Sequence, residues 1–249
     1  MVMRCYAMCS PGAIVSDFKA PVAIGQLHQT TASVIIEDVV ATVLDITVKA
    51  WPYLCQAQRV SKQDHEDAIS DQLRWEMDAE KQRRRPVPQL RFERETQSDD
   101  LQGERPVGRS DVYIIYSFDQ NEYLAMECKK VNDRHVTPAR KYIEQGVCRF
   151  SSGKYSFGHP YGTMVAFVPR GTPRSAAHFV AKKLATYDNS ATRLVPSPGW
   201  RAESRFGPVP NLYSSMHGQA GSDNTILLLH LFLGFEDHRR GDRPVAPPT

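Results

Sequence analysis

Apolar residues recur along this 249-residue chain in two periods, and the switches between them mark its elements. Val34, Ile35, Val39, Val43, Leu44 and Ile46 return at spacings of three to four, which predicts a helix from residue 30. A strand pair competes with that reading because so many of these residues are β-branched, and Pro52 ends or kinks either one. Residues 61–83 give the clearest helix. Ile69, Leu73 and Met77 form its stripe, Ala68 and Trp75 flank it, and Asp64 stands where a cap would. Leu90 and Phe92 alternate with polar neighbours over 89–95, a strand; 96–109 is a polar loop; 112–117 and 122–128 are β-rich runs around the polar turn 118–121, a hairpin. A helix over 137–150 follows, with Thr137 as cap and Pro138 in its first turn. Then come a buried strand at 162–168, an amphipathic helix at 172–187, a long Ser/Pro/Gly/Asn-rich excursion over 188–223, and an apolar strand at 225–235. Within that last strand His230 reads as a core residue with satisfied hydrogen bonds.

This order predicts an α/β fold with a mixed central sheet flanked by helices. Residues 1–60 form an N-terminal arm (irregular to about residue 29) and helical extension, 61–235 the main domain, and 236–249 a flexible, proline-bearing tail. No apolar run is long enough to span a bilayer, and the first residues lack the order of a signal peptide, so a cytoplasmic protein without membrane contact is expected. The five cysteines, at 5, 9, 55, 128 and 148, include no CxxC pair and indicate neither a disulfide framework nor a zinc ribbon.

Net charge is only +3, but it is uneven. From Glu127 to Lys183 eleven Lys or Arg face Glu127, Asp133 and Glu144, an excess of eight positive charges. That half should attract a polyanion, or else present a solvated basic face.

The hairpin carries the candidate chemistry. Asp111 begins its first strand, and Glu127 and Lys129 end its second, so antiparallel pairing brings all three to one edge. Glu127 and Lys129 share a face while Cys128 points to the apolar side. A carboxylate pair holds a hard divalent cation, and a neighbouring lysine orients a water or offsets charge on a phosphate. The bland alternative is an ordinary ion pair at a solvated strand end. A small-molecule enzyme of unrelated mechanism is a further reading, but no phosphate-cradling glycine loop, nucleophile elbow or metal-ligand histidine motif points to one.

Asp111, fifteen intervening residues, and Glu127-Cys128-Lys129 resemble the signature of the PD-(D/E)XK nuclease superfamily, and the order of elements around them resembles its restriction-endonuclease-like core. The resemblance implies a Mg2+-dependent or Mn2+-dependent nuclease acting on nucleic acid, DNA before RNA. Asp111, Glu127 and the Cys128 carbonyl would be metal ligands and Lys129 the group that positions water. Glu66, in His65-Glu66-Asp67, resembles the acidic residue on the family's first core helix, which would reach the metal directly or through a water; the alternative is that it only complements the helix dipole. Lys130, Arg134, Arg140, Lys141 and Lys154 would follow the phosphate backbone. Tyr142 and Gln145, three apart and therefore on one helix face, resemble a Gln/Tyr pair that helps hold the metal site or the backbone, although here the Tyr comes first. The resemblance extends to bacterial restriction and phage-defence systems, as a homodimer or with a partner protein. The competing reading is a non-catalytic nucleic-acid-binding or assembly subunit with the same fold.

Overall fold

A computed structural model describes residues 24–84, 90–94, 101–102, 105–106, 111–117 and 122–235. The arm up to residue 23, most of the 96–109 loop, the turn 118–121 and the tail 236–249 lie outside the described residues. By its contacts the chain divides into two units, Met1–Ile36 and Glu37–Thr249. In the first, the described residues 24–36 are helical.

The ambiguous β-branched stretch is helical. Helix α1 (Ile24–Gln56) begins inside the region read as an irregular arm and runs through Pro52 without ending there. Tertiary packing settles the choice. Trp51 stacks on Phe167, with ring centroids 5.4 Å apart, and donates its indole N–H to the Gly234 carbonyl at 2.8 Å. Helix α2 (Glu66–Arg83) starts five residues later than the periodicity predicts. Asp64 closes the turn before it, accepting from the Ser61 amide and hydroxyl at 2.7 Å each, and His65 is the N-cap. The arginines at the end of α2 are engaged. Arg83 pairs with buried Glu76 and Glu80, and Arg84 with Glu80 and with Asp45 of α1, so the two helices are clamped by charge. Arg85 lies outside the described residues.

Next come β1 (Arg91–Arg94), the short β2 (Leu101–Gln102) and β3 (Arg105–Pro106) paired only with each other, and the hairpin strands β4 (Val112–Ile115) and β5 (Tyr123–Lys130). The predicted single helix after the hairpin is broken into α3 (Val136–Tyr142), a π-turn (Ile143–Val147) and α4 (Cys148–Ser151). Strand β6 (Tyr161–Val168) and helix α5 (Pro173–Ala185) follow, the latter capped by Thr172 in a reciprocal bond with Ser175. The long excursion contains α6 (Asn189–Thr192), β7 (Arg201–Ala202) and β8 (Leu212–Gly218), and β9 (Thr225–Gly234) ends the described fold.

The sheet is seven-stranded and mixed, in the order β1-β4-β5-β6-β9-β8-β7. β1, β4 and β5 form an antiparallel meander, β5-β6-β9 is parallel, and β8 and β7 are antiparallel. One face buries Ala125, Met164, Ala166, Leu228 and Phe232 beneath the α3–α5 layer. Gly162 is where β6 passes closest to that layer. A Cβ there would stand 2.6 Å from Phe150 Cε1 and 3.0 Å from Leu228 Cδ2. Gly162→Ala is therefore expected to cost about 1–3 kcal/mol through overpacking, read as a lower urea midpoint at unchanged slope.

A buried polar chain crosses the same face. Tyr142 Oη lies 2.8 Å from His230 Nδ1; His230 Nε2 and His217 Nε2 each lie 2.7 Å from Ser215 Oγ; His217 Nδ1 lies 2.7 Å from the Thr192 carbonyl. Trp200, in the excursion, lies over His230 with ring centroids 4.4 Å apart.

Candidate active site

Pairing of β4 with β5 sets Val112 opposite Met126, which leaves Asp111, one residue earlier, beside Glu127. β5 runs two residues past its predicted end, so Lys129 lies within the strand. Three carboxylates from three elements converge on its ammonium. Lys129 Nζ is 2.6 Å from Glu127 Oε1, 3.1 Å from Glu66 Oε1 and 3.9 Å from Asp111 Oδ2, and it donates to the Cys128 carbonyl at 2.8 Å. Two of the carboxylates are fixed from behind. Asp111 Oδ2 accepts from the Cys128 amide at 2.7 Å and Glu66 Oε2 from the Lys130 amide at 2.6 Å. Glu66 is the first residue of α2 and reaches β5 at the Lys129 ammonium and the Lys130 amide.

Burial sets the electrostatics. It raises the Asp111 carboxyl to about 6, against the pull of Lys129 and the Cys128 amide. Burial and then the Asp111 charge push Glu127 up to about 8. Burial also opposes the Lys129 charge, yet Glu127, Asp111 and Glu66 outweigh it and hold the ammonium above its ordinary value. The carboxylates around it thus favour the protonated form of Lys129. Glu127 Oε2 is buried with no hydrogen-bond partner. Beside the carboxylates opens a small polar cleft lined by Asp67, Ser70, Asp71, Arg94 and Asp111.

The other candidates separate into several environments. Lys130 turns back to donate to the Lys62 and Asp64 carbonyls at 2.8 and 2.9 Å, pinning the start of α2. Arg134, Arg140, Lys141 and Lys154 are exposed, with Arg140 paired to Glu144 at 2.6 Å. Tyr142 is fully buried against His230, whereas Gln145 is exposed. The shared face assumed for them does not exist, because the π-turn changes the angular step between positions 142 and 145. The same turn delivers a residue outside the original set: Arg149 donates to Glu127 Oε1 at 3.1 Å and to the Tyr155 hydroxyl at 2.6 Å. The only sequence signal for Arg149 was a positive charge one turn beyond the Tyr/Gln pair.

Among the described residues no group of three or more His, Cys, Asp or Glu is arranged to hold a metal ion. At the point where the carboxylates meet, a lysine ammonium is the cation they surround. No described helix is long and apolar enough to cross a membrane. No protein-family model matches the chain, and neither does any curated protein or solved structure.

Proposed function

We propose that this chain is a metal-dependent nuclease of the PD-(D/E)XK type, with a restriction-endonuclease-like core running from α2 to β6 and DNA as its polyanionic substrate. The observation that carries the reading is the convergence of Glu66, Asp111 and Glu127 on Lys129 from the start of α2, the residue before β4 and the adjacent strand β5. Support comes also from the order α2-β1-β4-β5-α3-β6, with β5 and β6 parallel.

By its chemistry the donor set suits Mg2+ or Mn2+, although its carboxylates are drawn in around the Lys129 ammonium and are not spaced as a metal site. The set is all oxygen, three carboxylates and the Cys128 carbonyl, and it includes the unpartnered buried Glu127 Oε2. When bound, such an ion supplies Lewis-acid polarisation of the phosphoryl oxygen and an acidified water. The chain's own residues do the rest. Lys129, held protonated, orients the attacking water and offsets charge as it builds on the phosphate. Arg149 holds Glu127 in place. The exposed Arg134, Lys141 and Lys154 hold the backbone with an affinity that falls as salt rises.

Supercoiled plasmid incubated with the full chain is expected to be cut with Mg2+ or Mn2+ and left intact in EDTA. Persistent cutting in EDTA would sink the metal-dependent reading. Because Asp111 and Glu127 must lose protons to become ligands, half-maximal cutting is expected at lower Mg2+ concentration near pH 8 than near pH 6. Plasmid that is bound but uncut under all these conditions would favour the assembly-subunit reading.

A further inference from the structure

Lys129 Nζ stands where the donor oxygens meet. It holds Glu127 Oε1 at 2.6 Å, the Cys128 carbonyl at 2.8 Å and Glu66 Oε1 at 3.1 Å, with Asp111 Oδ2 at 3.9 Å. These are the same four groups that would take a divalent cation. A hard ion such as Mg2+ needs its oxygens at about 2.1 Å in a near-octahedral arrangement, which groups closed around an ammonium at hydrogen-bond distance do not offer. Two positive charges in one pocket also repel strongly where so little water screens them, and the lysine side chain is 9% exposed. The oxygens therefore serve one cation at a time.

One carboxylate oxygen is left over. Glu127 Oε2 is buried without a hydrogen-bond partner, whereas Oε1 of the same group carries both Lys129 and Arg149. Such an orphaned oxygen is costly, and it is the one that a metal ion can take without contesting a hydrogen bond. The Cys128 and Lys130 amides hold Asp111 and Glu66 at 2.7 and 2.6 Å, and neither bond depends on the ammonium. Arg149 provides the contrast. It meets Glu127 Oε1 at 3.1 Å and donates to the Tyr155 hydroxyl, but among the described residues it pairs with neither Glu66 nor Asp111. It adds positive charge near the pocket without occupying it.

We propose that Lys129 is a built-in competitor of the metal ion: its ammonium neutralises the three carboxylates, gives up the pocket when a divalent cation binds, and only then reaches water and phosphate. The proposal rests on the reading of Glu66, Asp111 and Glu127 as metal ligands and assigns their lysine a second task. A metal ion bound merely beside Lys129 would feel its charge and leave its place unchanged.

The test uses the full chain without DNA at about pH 9, where Asp111 and Glu127 lose their protons. Amine-reactive labelling read by mass spectrometry is expected to modify Lys129 several-fold more in saturating Mg2+ than in EDTA. Lys130, tied to the Lys62 and Asp64 carbonyls, is the internal control and should not change. This arm needs no variant. Calorimetric titration with Mg2+ follows, on the wild type, Lys129→Met and Arg149→Gln. Lys129→Met, which keeps the unbranched stem and removes the ammonium, is expected to bind Mg2+ at least about tenfold more tightly than the wild type, and Arg149→Gln no more than about threefold. Equal gains in the two variants would mean that charge alone acts, and would overturn the displacement. So would Mg2+ binding that leaves the labelling of Lys129 unchanged or lowers it, a result that keeps the metal reading. No Mg2+ binding by any of the three proteins sinks both. Displacement and tighter binding beside uncut plasmid would support the competition and sink the hydrolytic reading alone.

Discussion

Lys129→Gln is expected to lower metal-dependent cleavage by about 10²–10³-fold, a loss on the order of 3–4 kcal/mol of transition-state stabilisation. The ammonium sits 2.6–3.9 Å from all three carboxylates and is 9% exposed, so water cannot replace its charge. Glutamine, one bond shorter, keeps a hydrogen-bond donor while removing the charge. Asp111→Asn is expected to match it in effect, since it removes one of the carboxylates and weakens the bond from the Cys128 amide. Both variants should be assayed beside a urea titration, because taking the only lysine from among three carboxylates also costs stability. Folded variants that cut at the wild-type rate would remove this hairpin from consideration as the active site.

Ser215→Ala is expected to destabilise the protein by about 2–5 kcal/mol without touching the carboxylate site. The buried chain has one consistent proton order. The Thr192 carbonyl can only accept, so His217 Nδ1 carries the proton and Nε2 is the acceptor for the Ser215 hydroxyl. Ser215 Oγ in turn accepts from His230 Nε2–H, and His230 Nδ1 accepts from the Tyr142 hydroxyl. Alanine orphans a donor on one histidine and an acceptor on the other, both fully buried. Denaturant unfolding at neutral pH reads the loss, and a change below about 1 kcal/mol would mean water takes the place of the hydroxyl.

The same chain makes wild-type stability sensitive to acid. Burial pushes His217 down to about 4 and His230 well below its ordinary value. Between that range and the unfolded value near 6.5, the unfolded state binds more protons, so stability is complete above about pH 6.5 and falls as pH drops. For His217 the loss by pH 4 is on the order of 3 kcal/mol.

Local pattern was enough wherever an element's partner lay next to it in the chain. The hairpin placed Asp111 beside Glu127 through a strand period of two and a short turn, and the stripes of α2 and α5 named their buried faces. His230 read as a core residue because it interrupts a continuous apolar strand, and it is one, although its partners Tyr142 and Ser215 come from distant segments. Strand β8 was hidden inside the excursion, since its serines and His217 look like loop residues until β9 supplies their ladder.

What the sequence by itself determined was therefore the α/β order of elements and the carboxylate-lysine edge, both products of short-range periodicity. Tertiary structure alone decided the rest. It made 30–46 helical, because Trp51 needs the face of β6. It brought Glu66 within 3.1 Å of Lys129 and spent Lys130 on the start of α2, contacts spanning more than sixty residues. And it inserted a π-turn that buries Tyr142, exposes Gln145 and puts Arg149 on Glu127. An extra residue in one helical turn rotates everything after it, and the packing that stabilises such a turn comes from the sheet beneath it, which no window of sequence contains.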